Sequence, residues 1–247
     1  LTDNARFLNI TFSPLKKLKL SIINMEKNMS ELKLFEYSKT KKPKYLVFLL
    51  HGYGANAENL IDLAFEFQPI INDAHFIAPN AIEAFEGGFP DCYQWFSLYV
   101  GLNRSALEIL APKIQNANKI LKNLIDTQLK RFNLDYENLI IAGFSQGSMM
   151  AIYQGLIMPK KIAGVVSFSG KVVEPFLAGD KIISKPNICL IHGTHDSVLP
   201  FENFNEAQKI FENHQIPFEA HKINNMDHTI DYRALEIAQN FLKKILI

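Results

Sequence analysis

The sequence predicts an α/β fold of three layers, in which a mostly parallel central sheet is covered by helices on both faces. Short apolar runs of strand length alternate along the chain with longer runs whose apolar residues recur at helical spacing. One of these runs, Tyr45–Leu50, consists of six consecutive apolar residues, which is typical of a strand covered on both faces. With 247 residues and 48% hydrophobic content, the chain can bury a sizeable core.

The first half of the chain alternates strand and helix patterns that are bounded by Gly, Pro or polar residues. In chain order, we predict a loosely alternating edge strand, an apolar strand, a helix and a short strand, at Leu32–Tyr37, Tyr45–Leu50, Ala57–Phe67 and Ala74–Ala78. A long segment then follows over residues 80–103, rich in glycine and aromatic residues. Loops of this length in compact domains tend to be functional.

The second half continues the alternation. A long helix is predicted over Arg104–Phe132 because apolar residues recur every three or four positions, with Pro112 as a break or a first-turn residue. The remaining elements are a strand, a nearly all-apolar helix, two strands, a helix, an alternating strand and an amphipathic helix, at Leu139–Phe144, residue 146 to near Pro159, Ala163–Phe168, Ile188–Ile191, Phe201–Asn213, Phe218–Ile223 and Thr229–Leu246. No internal repeat occurs, so we expect residues 31–247 to form a single domain.

Charge and cysteine content exclude several classes of protein. A formal net charge of +1 argues against a nucleic-acid partner. The chain has no run of eighteen apolar residues, so we expect no spanning helix and no stable membrane insertion. Two cysteines, Cys92 and Cys189, indicate no disulfide framework and favour a reducing, cytoplasmic location. The sequence leaves open whether two copies form a homodimer.

The basic residues are concentrated near the N-terminus. Residues 1–44 hold ten Lys and Arg against four Asp and Glu, whereas the rest holds sixteen against twenty-one. We expect residues 1–30 to be a basic extension that is poorly ordered or peripheral. Lysines interrupt its apolar stretch, which makes a poor signal peptide. Because Met25 and Met29 precede the first strand, residues 1–28 are interpreted either as an upstream-start extension or as a tail with a weak membrane-surface or partner role.

The most informative motif is G-x-S-x-G at residues 143–147, which directly follows an apolar strand and precedes a helix. This order is the layout of a nucleophile elbow, in which a serine lies on a sharp strand-to-helix turn. We therefore predict Ser145 as a nucleophile. The next backbone N–H, that of Gln146, is expected to point toward an oxyanion at the helix N-terminus. A second oxyanion donor is expected at the backbone N–H of Tyr53, in the loop after Tyr45–Leu50.

The order of elements selects an acid and a base for this serine. After an elbow serine, the acid precedes the histidine along the chain. His228 follows the last strand after a short polar loop, whereas the other six histidines lie too early, in a polar helix or inside a strand. Asp196 follows Ile188–Ile191 at the same sheet edge. Of its rivals, Asp180 lies well before its next strand, and the side chain of Asp227 should point away from its neighbour His228.

Four blocks of the sequence resemble the carboxylesterase/lysophospholipase family of α/β-hydrolases, which includes acyl-protein thioesterases. The blocks cover residues 50–54 (LHGYG), 143–147 (GFSQG), 192–200 (HGTHDSVLP) and 226–228 (MDH), and Gln94-Trp95-Phe96 resembles a substrate-side block. The resemblance implies an α/β-hydrolase fold with the same nucleophile, acid, base and oxyanion donors, and no metal or cofactor. Ser148 and Asp227 depart from it, since the family often has Gly at both positions.

We therefore expect a serine hydrolase that cleaves carboxylic esters or thioesters through an acyl-enzyme, most simply a carboxylesterase acting on short- to medium-chain acyl esters. A lysophospholipase or an acyl-protein thioesterase, with a lipid ester or thioester substrate, is the alternative. A non-catalytic acyl- or partner-binding relative is the remote alternative. Aromatic residues of the long segment are predicted to bind the substrate: Phe89, Trp95, Phe96 and Tyr99. The open alternative is that they are ordinary core under a long loop.

Overall fold

The computed structural model describes residues 19–23, 32–99, 101–175 and 179–246. Strands alternate with helices along these residues. The strands are β1 (Lys19–Ile23), β2 (Leu32–Ser38), β3 (Tyr45–Leu50), β4 (Ala74–Pro79), β5 (Glu83–Ala84), β6 (Tyr93–Gln94), β7 (Leu139–Phe144), β8 (Gly164–Phe168), β9 (Ile188–Gly193) and β10 (Phe218–Ile223). The helices are α1 (Ala57–Ile61), α2 (Leu63–Phe67), α3 (Arg104–Phe132), α4 (Gln146–Ile157), α5 (Glu202–Asn213) and α6 (Tyr232–Ile245), and a short 3₁₀ turn spans Tyr136–Asn138.

Within the described residues, eight of the strands form one twisted sheet in the order β1-β2-β4-β3-β7-β8-β9-β10. The six strands from β4 to β10 run parallel, whereas β1 and β2 pair antiparallel at one end. The strands β3, β4, β7, β8 and β9 are almost entirely buried, because helices cover both of their faces. The mostly parallel sheet predicted from the sequence is confirmed.

Two separate hydrophobic clusters lie on the two faces of the sheet. One cluster contains apolar residues of α3, α4 and α5, and the other contains those of α1, α2 and α6. Strand β3 shows the alternation directly, since Phe48 belongs to the first cluster and Val47 to the second. The molecule therefore has the three layers that the sequence predicts.

Two helix boundaries differ from the prediction. The helix expected over Ala57–Phe67 is divided at Asp62, where the Phe65 amide bonds to the Asp62 carbonyl three residues back and interrupts the α-helical ladder. The last helix begins at Tyr232 rather than at Thr229, because the Asp231 carboxylate accepts hydrogen bonds from two backbone amides and caps the helix there. Pro112 lies inside α3 and does not break it.

The N-terminal edge of the sheet also differs from the prediction. Leu32–Tyr37 was expected to be an edge strand, yet β1 pairs with its outer side, with Lys19 opposite Glu36. This strand comes from the predicted basic extension. The other residues of that extension lie outside the described residues, so the domain boundary at residue 30 stays a prediction.

The parallel strands bring several loops to one edge of the sheet. The carboxyl ends of β3, β7, β9 and β10 lie there, and parallel α/β sheets bind their ligands beyond this edge. No helix in the described part of the chain combines the length and apolar character needed to cross a membrane.

Candidate active site

Ser145 lies on a strained turn between β7 and α4. Its φ and ψ are 55° and −117°, a combination that side-chain-bearing residues rarely adopt. Its neighbours permit the turn because they are glycines. A Cβ on Gly143 would lie 2.2 Å from the Gly147 carbonyl oxygen, and a Cβ on Gly147 would lie 1.9 Å from the Leu50 carbonyl oxygen. The geometry is that of a nucleophile elbow packed directly against the end of β3.

Two backbone amides beside Ser145 are available to an anion. A Cβ built on Gly52 would lie 3.3 Å from the Cβ of Ser145, so the loop after β3 borders the elbow. Among the described residues, the backbone N–H groups of Tyr53 and Gln146 have no hydrogen-bond acceptor. Gln146 begins α4, where the first amides of a helix have no intrahelical partner. Both amides predicted from the sequence therefore lie in the two segments that flank the serine.

His51 shapes the loop that carries Tyr53. Its buried imidazole donates from Nδ1 to the Gly52 carbonyl at 2.8 Å and accepts at Nε2 from the Ala81 amide at 2.9 Å. Burial lowers the pKa of His51 to about 4, so the ring is neutral at ordinary pH. With one nitrogen donating and the other accepting, the tautomer is determined. Sequence analysis set His51 aside as a base and did not detect this role.

Asp196 and His228 form a hydrogen-bonded pair. His228 Nδ1 donates to Asp196 Oδ2 at 2.8 Å, and the side chain of Asp196 is fully buried. The other carboxylate oxygen accepts from the amides of Val198 and Leu199 at 3.0 and 2.7 Å. Burial raises the pKa of Asp196, but these hydrogen bonds outweigh it and hold the pKa below its ordinary value. The carboxylate is therefore charged and oriented toward the imidazole.

The imidazole of His228 lies next to the elbow. The rings of Phe144 and His228 have centroids 4.8 Å apart, and Phe144 immediately precedes Ser145. Within the described residues, no hydrogen bond joins Ser145 Oγ to His228. Such contacts are often long without substrate and tighten when it binds. The structure thus brings the acid–base pair to the elbow, and the complete triad stays a prediction.

The competing residues do not take the place of Asp196 or His228. Asp180 accepts from the Tyr153 hydroxyl at 2.6 Å, away from the imidazole. The carboxylate of Asp227 accepts hydrogen bonds from one backbone amide of its own loop and from one of the loop that carries Asp196. The Nε2 of His192 donates to the Leu199 carbonyl at 2.9 Å and lies 3.3 Å from Asp196 Oδ2. Burial lowers the pKa of His192. Four further histidines contact carboxylates or a hydroxyl outside the site: His75, His195, His214 and His221.

The long segment after β4 folds over the site as a hairpin of β5 and β6; we call residues 83–99 the hairpin segment. Gln146 holds it with its side chain, since Oε1 accepts from the Trp95 amide at 2.9 Å and Nε2 donates to the Phe96 carbonyl at 2.6 Å. The Trp95 indole N–H donates to the His51 carbonyl at 2.9 Å. The elbow, the loop after β3 and the hairpin segment are therefore joined by buried hydrogen bonds.

Glu86 makes a second connection between the hairpin segment and the loop after β3. Its carboxylate accepts from the Tyr53 hydroxyl, from Ser97 Oγ at 2.5 Å and from the Leu98 amide at 3.0 Å. Burial acts to raise the pKa of Glu86, but the hydrogen bonds from Ser97, Tyr53 and Leu98 leave it below the ordinary value. Burial and then the Glu86 carboxylate raise the pKa of Tyr53. Sequence analysis did not identify Glu86, which carries no motif.

The four aromatic residues predicted to bind substrate divide into two pairs. Trp95 and Phe96 are buried at 1% and 0% exposure, in the core cluster that contains α4. Phe89 and Tyr99 are 60% and 88% exposed. Contact of these side chains with a substrate stays a prediction. No group of three or more His, Cys, Asp or Glu in the described part of the chain could hold a metal ion.

The departures from the family motif have distinct surroundings. The Ser148 hydroxyl lies 2.5 Å from the hydroxyl of Ser167 in β8, both buried, so it joins α4 to the sheet next to the elbow. Its oxygen occupies the space that a Cβ on Gly170 would need. The Asp227 carboxylate instead accepts hydrogen bonds from the backbone amides of Ser197 and His228, one in each of the loops that carry Asp196 and His228.

The chain is similar to several known proteins. A family model described as phospholipase/carboxylesterase matches residues 35–246. Acyl-protein thioesterase 1 of Kluyveromyces lactis is 27% identical over 222 residues, covering 85% of this chain and 95% of that protein. The esterase YpfH of Escherichia coli is 24% identical over 212 residues, covering 83% and 85%.

Solved structures give a similar result. The crystal structure of esterase PE8 is 30% identical in sequence, superposes with a TM-score of 0.78 and covers 93% of this chain and 100% of its own. The carboxylesterase of Bacillus cereus, at 19% identity, a TM-score of 0.69 and coverage of 87% and 94%, shares the fold.

Proposed function

Because this chain belongs to the phospholipase/carboxylesterase family, whose α/β-hydrolase members are ester hydrolases, we propose that it cleaves carboxylic esters or thioesters through an acyl-enzyme on Ser145. His228 is the base, Asp196 the acid that orients it, and the amides of Tyr53 and Gln146 are the oxyanion donors. The supporting observation is the 2.8 Å hydrogen bond between Asp196 and His228, which lies beside a strained serine elbow.

Acylation follows from this geometry. Nδ1 of His228 is occupied by Asp196, so the neutral imidazole takes the hydroxyl proton of Ser145 at Nε2 as Oγ attacks the acyl carbon. The carbonyl oxygen becomes an anion, which the two amides stabilise by about 3 kcal/mol each. The buried carboxylate of Asp196 stabilises the imidazolium. Collapse then breaks the bond to the alcohol or thiol, which leaves with the proton from His228.

Deacylation uses the same groups, with water as the nucleophile in place of Ser145. Water loses a proton to His228 while its oxygen attacks the acyl carbon, and the same amides hold the second oxyanion. Collapse breaks the bond to Ser145 Oγ, which recovers the proton from His228. The products are a carboxylic acid and free enzyme.

Labelling with a fluorophosphonate tests the nucleophile. The wild-type chain should be labelled and should hydrolyse p-nitrophenyl butyrate, and Ser145→Ala should do neither. Ser148→Ala is the matched control, because Ser148 is a buried serine three residues away whose hydroxyl faces Ser167. An unlabelled wild type would favour the non-catalytic, acyl- or partner-binding alternative.

The preferred substrates are short- to medium-chain acyl esters. Acyl-protein thioesterase activity is the second candidate, since the relatives named acyl-protein thioesterase 1 cover most of the chain. A lysophospholipase would use the same chemistry. A series of acyl esters and thioesters of increasing chain length separates these proposals. An optimum at long acyl chains, with thioesters preferred, would replace the carboxylesterase proposal by the thioesterase one.

Location and assembly belong to the same proposal. Two free cysteines, one buried and one half-buried, support a reducing, cytoplasmic location. Fractionation of cells that produce the protein tests the location. Sedimentation velocity tests whether two copies associate as a homodimer.

A further inference from the structure

We propose that Asp227 is a positioning residue, whose carboxylate joins the loop carrying Asp196 to the loop carrying His228 and thereby holds the acid–base pair together. The proposal rests on the proposed function, because it assigns a role within that site. Sequence analysis rejected Asp227 as the acid, and in the structure the carboxylate that accepts from His228 Nδ1 is that of Asp196.

Three donors converge on one oxygen of Asp227. Oδ1 accepts from the Ser197 amide at 2.8 Å, from Ser197 Oγ at 2.8 Å and from the His228 amide at 2.7 Å. Ser197 follows Asp196 directly, and Asp227 precedes His228 directly. One carboxylate therefore bonds to the backbone of the residue next to the acid and to the backbone of the base itself.

The hydrogen bonds between Asp227 and Ser197 matter because of where they lie along the two loops. The loops are already joined near the sheet, where the Thr194 amide donates to the Ile223 carbonyl at 3.0 Å and the His195 amide to the Met226 carbonyl at 3.1 Å. These backbone contacts stop before Asp196. Beyond them, the described hydrogen bonds between the two loops are the Asp196–His228 pair itself and those of Asp227 with Ser197.

Hydrogen bonding also keeps the carboxylate of Asp227 ionised. The hydrogen bond from the Ser197 backbone amide lowers the pKa of Asp227 most, and the one from the His228 backbone amide comes next, although the Asp227 side chain is exposed. The carboxylate is thus ionised, and an ionised oxygen accepts several hydrogen bonds at once. A displacement of about 1 Å in a catalytic group can cost a hundredfold in rate, so a contact that fixes two loops affects turnover.

The test compares Asp227→Ala with Asp227→Asn. Alanine removes the acceptor, so kcat for p-nitrophenyl butyrate should fall roughly ten- to a hundredfold with KM within about twofold. Asparagine keeps a carbonyl oxygen at the same place and should restore kcat to within about threefold of the wild type. Asp231→Ala is the matched control, because Asp231 is an aspartate three residues from His228 that caps α6. It should lower Tm and leave kcat unchanged.

A second measurement needs no substrate. The proton between His228 and Asp196 should give a strongly downfield NMR signal in the wild type, in Asp227→Asn and in Asp231→Ala. In Asp227→Ala it should broaden or disappear through faster exchange with water. A wild type that shows the signal but hydrolyses no ester would overturn the proposed function. The positioning role of Asp227 would then be decided by whether Asp227→Ala loses the signal.

Two results would overturn the positioning role. In one, Asp227→Ala keeps both kcat and the downfield signal, with at most a lower Tm, and Asp227 is then only structural. In the other, Asp227→Asn loses as much kcat as Asp227→Ala, and the negative charge rather than the hydrogen-bond geometry is then responsible.

Discussion

The two sides of the candidate site are built differently. On the acid–base side, the carboxylate of Asp196 is fully buried and held by backbone amides on one oxygen and an imidazole on the other. On the hairpin side, the exposed carboxylate of Glu86 accepts hydrogen bonds from Tyr53, Ser97 and Leu98. Two exposed aromatic side chains, Phe89 and Tyr99, belong to the same segment.

The difference shows which properties each side controls. Hydrogen bonds in a buried site are strong and leave a costly unpaired group when one partner is removed. Those of an exposed carboxylate compete with water and are weaker. We therefore expect substitutions on the acid–base side to abolish turnover, and substitutions on the hairpin side to alter substrate preference at a smaller cost in rate.

The largest expected effect is on the acid–base side. His228→Ala should lower kcat by roughly 10⁴–10⁶ with KM little changed, because the base acts only in the transition state. Steady-state kinetics with p-nitrophenyl butyrate measures it. His221→Ala is a suitable control, since that imidazole is half-buried within β10 and contacts Glu219. A loss below tenfold in His228→Ala would remove His228 from the role of base.

The buried imidazole of His51, in the loop after β3, should control stability in acid. The pKa of His51 is about 4 in the folded protein and 6.5 as its ordinary value, so the unfolded chain binds more protons between these pH values. The free energy of unfolding should therefore decrease as the pH falls from 6.5 to 4, by up to about 3 kcal/mol from this group.

Urea unfolding across this pH range, compared between wild type and His51→Asn, isolates the contribution of His51. The variant is expected to be less stable at neutral pH, and its stability should depend less steeply on pH. Parallel pH dependences in the two proteins would show that His51 is not held neutral by the fold.

Smaller effects are expected for Glu86. Glu86→Gln weakens the hydrogen bonds that hold the hairpin segment against Tyr53, so kcat/KM should fall about tenfold or less. Tyr53→Phe removes one of the same bonds. A double-mutant cycle should show that the two changes are not additive, because they share a contact. Additive losses would mean that Glu86 and Tyr53 act independently.

The smallest effects are expected at the exposed aromatic residues. Tyr99→Ala and Phe89→Ala should change the free energy of unfolding by less than about 0.5 kcal/mol, because little is buried by either side chain. If they cover the acyl chain, KM for longer acyl esters should rise by about fourfold for each methylene uncovered, with short esters unaffected. Equal changes for all chain lengths would remove both residues from the acyl site.

Much of the fold could be predicted from local patterns. Apolar runs of strand length, helical spacing and the G-x-S-x-G turn are properties of neighbouring residues, and each predicted element of the sheet is present. The expectation that Asp196 and His228 lie together needed only the order of elements and the rule that parallel strands end at one edge. These two residues indeed meet at 2.8 Å.

Tertiary structure alone decided how these groups are supported. Glu86 bonds to Tyr53, the Gln146 side chain to the segment at Trp95, and Asp227 to Ser197, across separations of about 30 to 50 residues. No local sequence pattern predicts such contacts, because they depend on which loops the sheet order places side by side. The burial of Trp95 and the pairing of β1 with β2 were undetermined for the same reason. The sequence by itself determined the strand that carries each candidate group, whereas packing between distant loops decided how these groups are held relative to one another.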